Sequence, residues 1–326
     1  MRPNTDSYCL LLLCSRLSQS AASDSTPLSA REWSRLEGLL LAASMTPLML
    51  LGLSVKKIES SLGMHNRAAL RIARLLDRYA QISKELNRLD NLGIWVVTKL
   101  ESAYPAKLKG RLRGNAPTIL FGSGEVSLLN TRGVAVVGSR NANPSCISLS
   151  ESIGARCAES KLTVYSGGAR GVDTAAMTSA LRSGGTSAGL LAESLEQAVV
   201  ATNTRLSIRN GQLVLATPFS SRAAFNAGLA MTRNKLIYAL ADYAIVVASE
   251  AGRGGTWAGA EEALKSGWIP VFVAGGHGVS EAHRLLIGRG ALPLPVDVVD
   301  SVSSLSTWLE EKSGPGRNNA VQGCLF

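Results

Sequence analysis

Charge is sparse in this chain. Charged residues fill 18% of its 326 positions and aromatic residues 5%, against 46% hydrophobic residues, so it is not of the highly charged, weakly hydrophobic kind that stays disordered. The length exceeds one average domain and points to a large core domain with a smaller companion. Long apolar runs are missing as well: no segment reaches the roughly 18 uncharged apolar residues of a membrane span, and a soluble, cytoplasmic chain is expected. The apolar run from Tyr8 to Cys14, with Arg2 before it and Ala21-Ala22-Ser23 after it, has the outline of a secretion signal. It ends at Arg16 and resumes at Leu17 and Leu28, which favours a buried first helix. The histidines, His65, His277 and His283, are too dispersed for a metal site, although His277 follows a predicted strand and could approach a pocket there. Cys9, Cys14, Cys146, Cys157 and Cys324 form no CxxC pair and read as small buried hydrophobes in a reducing compartment. The patterns GxxxxGK[ST] and HExxH are absent, and no serine is expected on a nucleophile elbow. No metal, no cofactor and no catalytic residue is therefore expected.

What charge there is leans positive, at +10 overall, with a pI near 9.6, and suits a polyanionic partner. Its distribution is uneven. Residues 1–132 hold 18 Lys/Arg against 10 Asp/Glu, whereas residues 133–326 hold 16 against 14. A polyanion site in the second part must rest on local loops.

From residue 133 onward, Val- and Ile-rich runs alternate with helical segments in the rhythm of βαβ units. The strands expected are 133–138, 162–166, 186–191, 213–217, 243–248 and 269–274. Their apolar residues occupy both alternating positions, which suits a parallel sheet covered on both faces. Helices are expected over 144–159, 171–182, 226–241 and 256–265, the first opened by Asn143-Pro144, a capping residue before a proline at the first helical position. The expected fold class is α/β: a doubly wound, Rossmann-like parallel sheet with a small N-terminal helical domain. The expected division is a helical, SAM-like domain over 1–95, a Rossmann-like domain over 96–305 and a tail over 306–326. Within 66–86 the spacing predicts one helix, with Arg67, Arg71, Arg74 and Arg78 on a face of their own. A solvated basic face and a phosphate-contacting face are both consistent with that pattern.

In an open α/β sheet, ligands bind at loops leaving the carboxyl ends of the strands. Three such loops are glycine-rich. Gly138-Ser139-Arg140 supplies close approach, a hydroxyl and a planar guanidinium. Ser166-Gly167-Gly168-Ala169-Arg170-Gly171-Val172-Asp173 can turn successive N–H groups and a helix N-terminus toward one anion, or it can simply be a tight turn that caps a helix. Gly254-Gly255-Thr256 opens a third strand-to-helix turn, and Arg233-Asn234-Lys235 adds two cations and an amide on the preceding helix.

Together with Gly184-Gly185-Thr186 and the lead-in Tyr104-Pro105, Leu108 and Ala116-Pro117-Thr118-Ile119-Leu120-Phe121-Gly122, these loops resemble the DprA/Smf DNA-processing family. The resemblance runs from about Thr98 to Leu292. It implies an extended Rossmann fold that binds and protects single-stranded DNA and assists loading of a RecA-type recombinase during transformation. By position, Arg140, Gly167, Gly168, Arg170, Arg233, Asn234 and Lys235 would line the DNA pocket. Met177 stands where the family usually has His, Lys235 where it has Arg, and no Tyr-Pro segment is evident over 192–206. No winged helix is evident after Asp300, and the run from Phe225 to Ala260 resembles a divergent branch with members in phage-defence modules.

Two other readings stay open. A regulatory or antitoxin-like module would dock a toxin-like partner through residues 30–92. A LOG-type nucleoside-monophosphate phosphoribohydrolase would need the carboxylate of its Gly-Gly-x-Gly-Thr-x-x-Glu pattern, yet Gly259 occupies that place. Glu261 lies two residues on, about 200° around a helix. A homo-oligomer is expected on any of these readings.

Overall fold

The computed structural model describes residues 3–17, 26–275 and 280–314. His277, Cys324 and most of the segment expected as a tail lie outside the described residues. The chain divides into two compact units, Met1–Pro105 with Leu112–Gly122, and Ala106–Arg111 with Ser123–Phe326.

The first unit is mainly helical: α1 (Thr5–Cys14), α2 (Ala30–Ala42), α3 (Val55–Leu62), α4 (Asn66–Leu76) and α5 (Tyr79–Asn91). The apolar run at the start of the chain is α1, capped by Asn4, with Leu10 to Leu13 fully buried. The helix expected over 66–86 is broken at Asp77 and Arg78, and the break coincides with a long-range contact that periodicity does not encode. The Arg78 guanidinium turns inward and donates to the carbonyls of Leu12 and Ser15 at the end of α1, where a helix has no partners of its own for them. Burial holds Arg78 below its ordinary pKa. Arg71 likewise pairs with Glu32 at 2.6 Å and donates to the carbonyl of Thr26, so only Arg67 and Arg74 of that row are exposed. A strand pair absent from the expectation, β1 (Trp95–Thr98) antiparallel to β2 (Ile119–Ser123), completes this unit. The Tyr104 hydroxyl, which burial pushes well above its usual pKa, donates to Pro117 O at 2.7 Å and ties the lead-in motif together.

The second unit follows the βαβ rhythm. After α6 (Ala106–Leu112) come β3 (Gly133–Val137), α7 (Pro144–Glu159), β4 (Thr163–Ser166), α8 (Val172–Arg182) and β5 (Ser187–Leu190). Two short helices, α9 (Leu195–Val200) and α10 (Thr202–Arg209), precede β6 (Leu213–Thr217), α11 (Ala227–Leu240) and β7 (Tyr243–Val246). Then follow α12 (Gly254–Ser266), β8 (Val271–Gly275), α13 (Glu281–Gly288), β9 (Leu292–Pro295), α14 (Val296–Ser301) and α15 (Leu305–Ser313). Helix α15 runs through the start of the segment expected as a tail.

The strands of this unit lie in the order β6-β5-β4-β3-β7-β8-β9, and every neighbouring pair is parallel. The chain winds outward from β3 to β6, then returns to the other side of β3 as β7, so the sheet is doubly wound with its switch point between β3 and β7. Strands β3 to β7 are buried on both faces, as their unbroken apolar runs require. Strand β9 is the sequence Leu-Pro-Leu-Pro, whose prolines argue against a central strand; it survives at the edge, where a missing N–H costs least. At the opposite ends of the strands from the glycine loops, Lys107 of α6 pairs with Asp242 at 2.7 Å, and Asp242 also accepts the Gly133 N–H. Cys9, Cys14 and Cys157 are buried, and burial pushes their thiols up to about 11, 12 and 12; Cys146 is half-buried, a departure from the expected full burial.

The Glu32–Arg71 pair gives the first unit a pH dependence. Hydrogen bonds from Arg71 and from the Ser29 backbone lower the Glu32 pKa to about 2, below its unfolded value of 4.5, so its contribution is present above pH 4.5 and lost as pH falls toward 2. Glu32→Gln is expected to lower the thermal midpoint at pH 7. The gap between variant and parent should close on acidification, and a gap independent of pH in paired melting curves would exclude this origin.

Candidate functional site

The glycine loops after β4, β3 and β7 leave three adjacent strands on the same side, so their convergence follows from the topology. They enclose two adjoining clefts. The first, of about 460 Å³, opens at the switch point between Gly138-Ser139-Arg140 and Gly254-Gly255-Thr256. The second, of about 380 Å³, lies over Gly167, Gly168 and Arg170. Arg140, Phe225 and Arg233 line both.

Arg233 organises the site. Helix α11 is capped by Asn226, whose side chain accepts the Gly228 N–H at 2.7 Å, and it carries Arg233 to the sheet. There the guanidinium is 4% exposed and lies directly on the Gly167 backbone: a Cβ on Gly167 would fall 1.3 Å from Nη1. Its counter-charge is Asp173, with Oδ2 at 3.9 Å, while Asp173 accepts the Gly167 N–H at 3.0 Å. Burial pushes the Asp173 carboxyl up and the Arg233 guanidinium down, each against the opposing pull of its partner. The Nε and Nη1 groups of Arg233 have no hydrogen-bond partner among the described residues.

The other expected site residues divide into those that face the clefts and those that shape them. Arg140 is exposed, its guanidinium 4.5 Å from the centre of the Phe225 ring, and Arg170 donates to the Asn141 side chain at 2.8 Å, so the loops after β3 and β4 are joined. Gly171 takes φ +93, and a Cβ there would fall 2.5 Å from the Ser139 carbonyl, so this turn requires glycine. The Ser139 hydroxyl accepts the Asn141 N–H, and the Thr256 hydroxyl donates to Gly138 O at 3.2 Å. Asn234 lies against Gly255. Ser166 is fully buried and donates to Val136 O, so it and Asp173 shape the loop from beneath. Lys235 does not join them: two residues past Arg233 it points about 200° away, where it pairs with Glu262 at 2.9 Å. Met177 is buried against Gly189 of β5, so that departure from the family pattern lies outside both clefts.

Phe225, Glu193 and Glu250 line the clefts without having been singled out in the sequence, and Arg253 lines the first cleft beside the glycines of its loop. Phe225, 48% exposed, sits among small residues and breaks no periodicity, so the one available signal was an aromatic inside a polar loop. Gly185-Thr186-Ser187-Ala188-Gly189 has the GxSxG spacing of a nucleophile elbow. Ser187 is nevertheless fully buried inside β5 with its hydroxyl on Met177 O, and no elbow exists there. Among the described residues no group of three or more His, Cys, Asp or Glu could hold a metal ion, and no helix is long and apolar enough to cross a membrane.

The family model for DNA recombination-mediator protein A matches residues 95–300. The chain belongs to that family. DNA processing protein DprA of Streptococcus pneumoniae is 31% identical over 227 residues, covering 66% of this chain and 76% of its own. A DprA of Mycobacterium tuberculosis, described as a DNA processing protein, is 29% identical over 272 residues, 80% of this chain and 69% of its own. The crystal structure of the pneumococcal protein superposes with TM-score 0.59 at 26% identity, covering 85% of this chain and 99% of its own. DprA from Helicobacter pylori, studied for its single-stranded DNA binding, shares the fold with TM-score 0.53 at 22% identity, over 67% of this chain and 97% of its own.

The slot at Gly167 yields a coupling test. Gly167→Ala is expected to expel the Arg233 guanidinium and leave Asp173 buried without its cation, at about 3–5 kcal/mol. Arg233→Met removes the same contact, although a Cβ on Gly167 would also meet Asp173 Oδ2 at 2.6 Å, so the double variant should cost clearly less than the sum of the two single changes in urea unfolding. Additive costs would mean that the two residues do not share a slot.

Proposed function

We propose that this chain binds single-stranded DNA in the paired clefts, shields it, and passes it to a RecA-type recombinase during DNA uptake in the cytoplasm. The observation that carries this reading is Arg233: a buried cation with unmet N–H groups beneath two exposed arginines, Arg140 and Arg170. A phosphate supplies acceptors for these N–H groups and negative charge for the exposed arginines, and a planar guanidinium fits it bidentately. The exposed ring of Phe225, next to Arg140, offers a face on which an unpaired base can stack, and stacking tolerates any sequence. Bases inside a duplex are already stacked, which gives the preference for single strands. A homo-oligomer would set several such clefts along one strand.

Fluorescence anisotropy with labelled oligonucleotides tests this. Arg140→Ala or Arg170→Ala is expected to weaken binding by about 1–3 kcal/mol with little change in thermal midpoint. Arg140→Lys should recover part of the loss, because ammonium keeps the charge without the bidentate fork. Phe225→Ala should cost about 1–3 kcal/mol, and the loss should not depend on base composition. Wild-type affinity in both arginine variants, combined with lower melting temperatures, would assign these residues a structural role instead.

Glu250 stands in the same cleft as Arg140 and is the observation that favours a hydrolase reading. Glu261 and Glu262 are engaged elsewhere, by Arg289 and Lys235. On the binding reading, purified protein incubated with a nucleoside monophosphate releases no free base. Release that is abolished by Glu250→Gln would put hydrolysis in its place.

A further inference from the structure

Beyond the two clefts lies an open groove of about 780 Å³ between the start of α7 and the outer face of α8. It shares Arg140, Asn141 and Arg170 with the cleft over the β4 loop, so the two adjoin, with the Arg170–Asn141 hydrogen bond at their boundary. Along α8, Thr174, Thr178 and Arg182 recur every four residues and so stack on one face, in line with Arg170 at the helix entrance. Ala142, Ile147 and Ala175 provide an apolar wall beside them. The acidic residue of the groove, Glu151 of α7, reaches Arg182 at 3.5 Å, and both side chains are largely exposed, at 47% and 67%.

We propose that this α7–α8 groove is a second segment of the single-stranded DNA path, in which Arg182 holds a phosphate and Glu151 competes with the strand for that guanidinium. The proposal rests on the clefts being the primary DNA site. A positively charged groove that tracks the backbone is one part of sequence-tolerant single-strand binding; here Thr178 and the apolar wall lie beside the cations, while the Thr174 hydroxyl is held by Ala169 O at 2.7 Å. From Thr174 to Arg182 the helix rises about 12 Å. That length holds roughly three nucleotides at about 3.4 Å per stacked step. The exposed ion pair between Arg182 and Glu151 contributes little to the fold, so a phosphate can replace the carboxylate at small cost. The groove therefore sets a length dependence: strands that only fill the clefts ignore it, and longer strands gain from it.

The experiment measures anisotropy with oligothymidines of increasing length against the parent protein, Arg182→Ala, Glu151→Gln and Arg140→Ala. Arg182→Ala is expected to leave the shortest bound oligonucleotide unaffected, weaken long ones about three- to tenfold, and lower their salt slope by about 0.7, the value for one single-strand phosphate contact. Glu151→Gln is expected to tighten binding of long strands about two- to threefold and to have no effect once Arg182 is removed. Because both residues are exposed, unchanged melting curves would exclude a folding defect as the cause. Equal affinity of Arg182→Ala and the parent at every length, or an equal loss at every length, overturns the groove assignment. If Arg140→Ala also binds like the parent at every length, the cleft reading itself fails; if only Arg140→Ala weakens binding, the clefts stand and the groove does not.

Discussion

The site depends on one buried cation. Burying a guanidinium costs several kcal/mol, and a carboxylate at 3.9 Å returns about 4 kcal/mol at an effective dielectric near 20. Asp173 must itself be desolvated, so the pair alone does not offset its own burial. The surrounding residues follow from that constraint. Gly167 is glycine because Arg233 occupies the space of its side chain, and the Gly167 N–H turns to Asp173. Gly171 takes a positive φ so that α8 can start directly beneath the Ser139 carbonyl, which delivers Asp173 in the first helical turn. The Nε and Nη1 groups of Arg233 remain without a hydrogen-bond partner among the described residues.

Around this centre the clefts divide their tasks by exposure. The buried pair shapes the β4 loop from beneath, while Arg140 and Arg170 remain at the surface. Charge over residues 133–326 is nearly balanced along the sequence, so the positive character of the site comes from loop placement. The acids Glu250 and Glu193 line the first and second cleft beside these cations. An aromatic ring, Phe225, lies beneath one of the exposed guanidinium groups, that of Arg140.

Much of the architecture was legible in the sequence because unbroken apolar runs and capped amphipathic segments encode local structure directly. The six strands expected from residue 133 onward all occur, and α7 begins and ends where Asn143-Pro144 and the loss of periodicity place it. Elements that depend on distant partners were not legible. Strands β1 and β9 are short, and β9 carries two prolines that are tolerated only because the strand lies at an edge. The break between α4 and α5 coincides with a contact to carbonyls at the end of a different helix, reached by Arg78 across the fold.

For the site the division is the same. The sequence by itself determined which residue types were available: three glycine loops, arginines beside them, and strands arranged so that those loops had to emerge on one side. Only the tertiary structure decided their roles, because burial and direction are set by neighbours remote along the chain. It turned Ser166 and Asp173 inward, sent Lys235 to an outer ion pair with Glu262, and laid Phe225 beneath Arg140. A helix advances about 100° per residue, so adjacent members of Arg233-Asn234-Lys235 cannot share one direction. The sheet against which α11 packs chose Arg233.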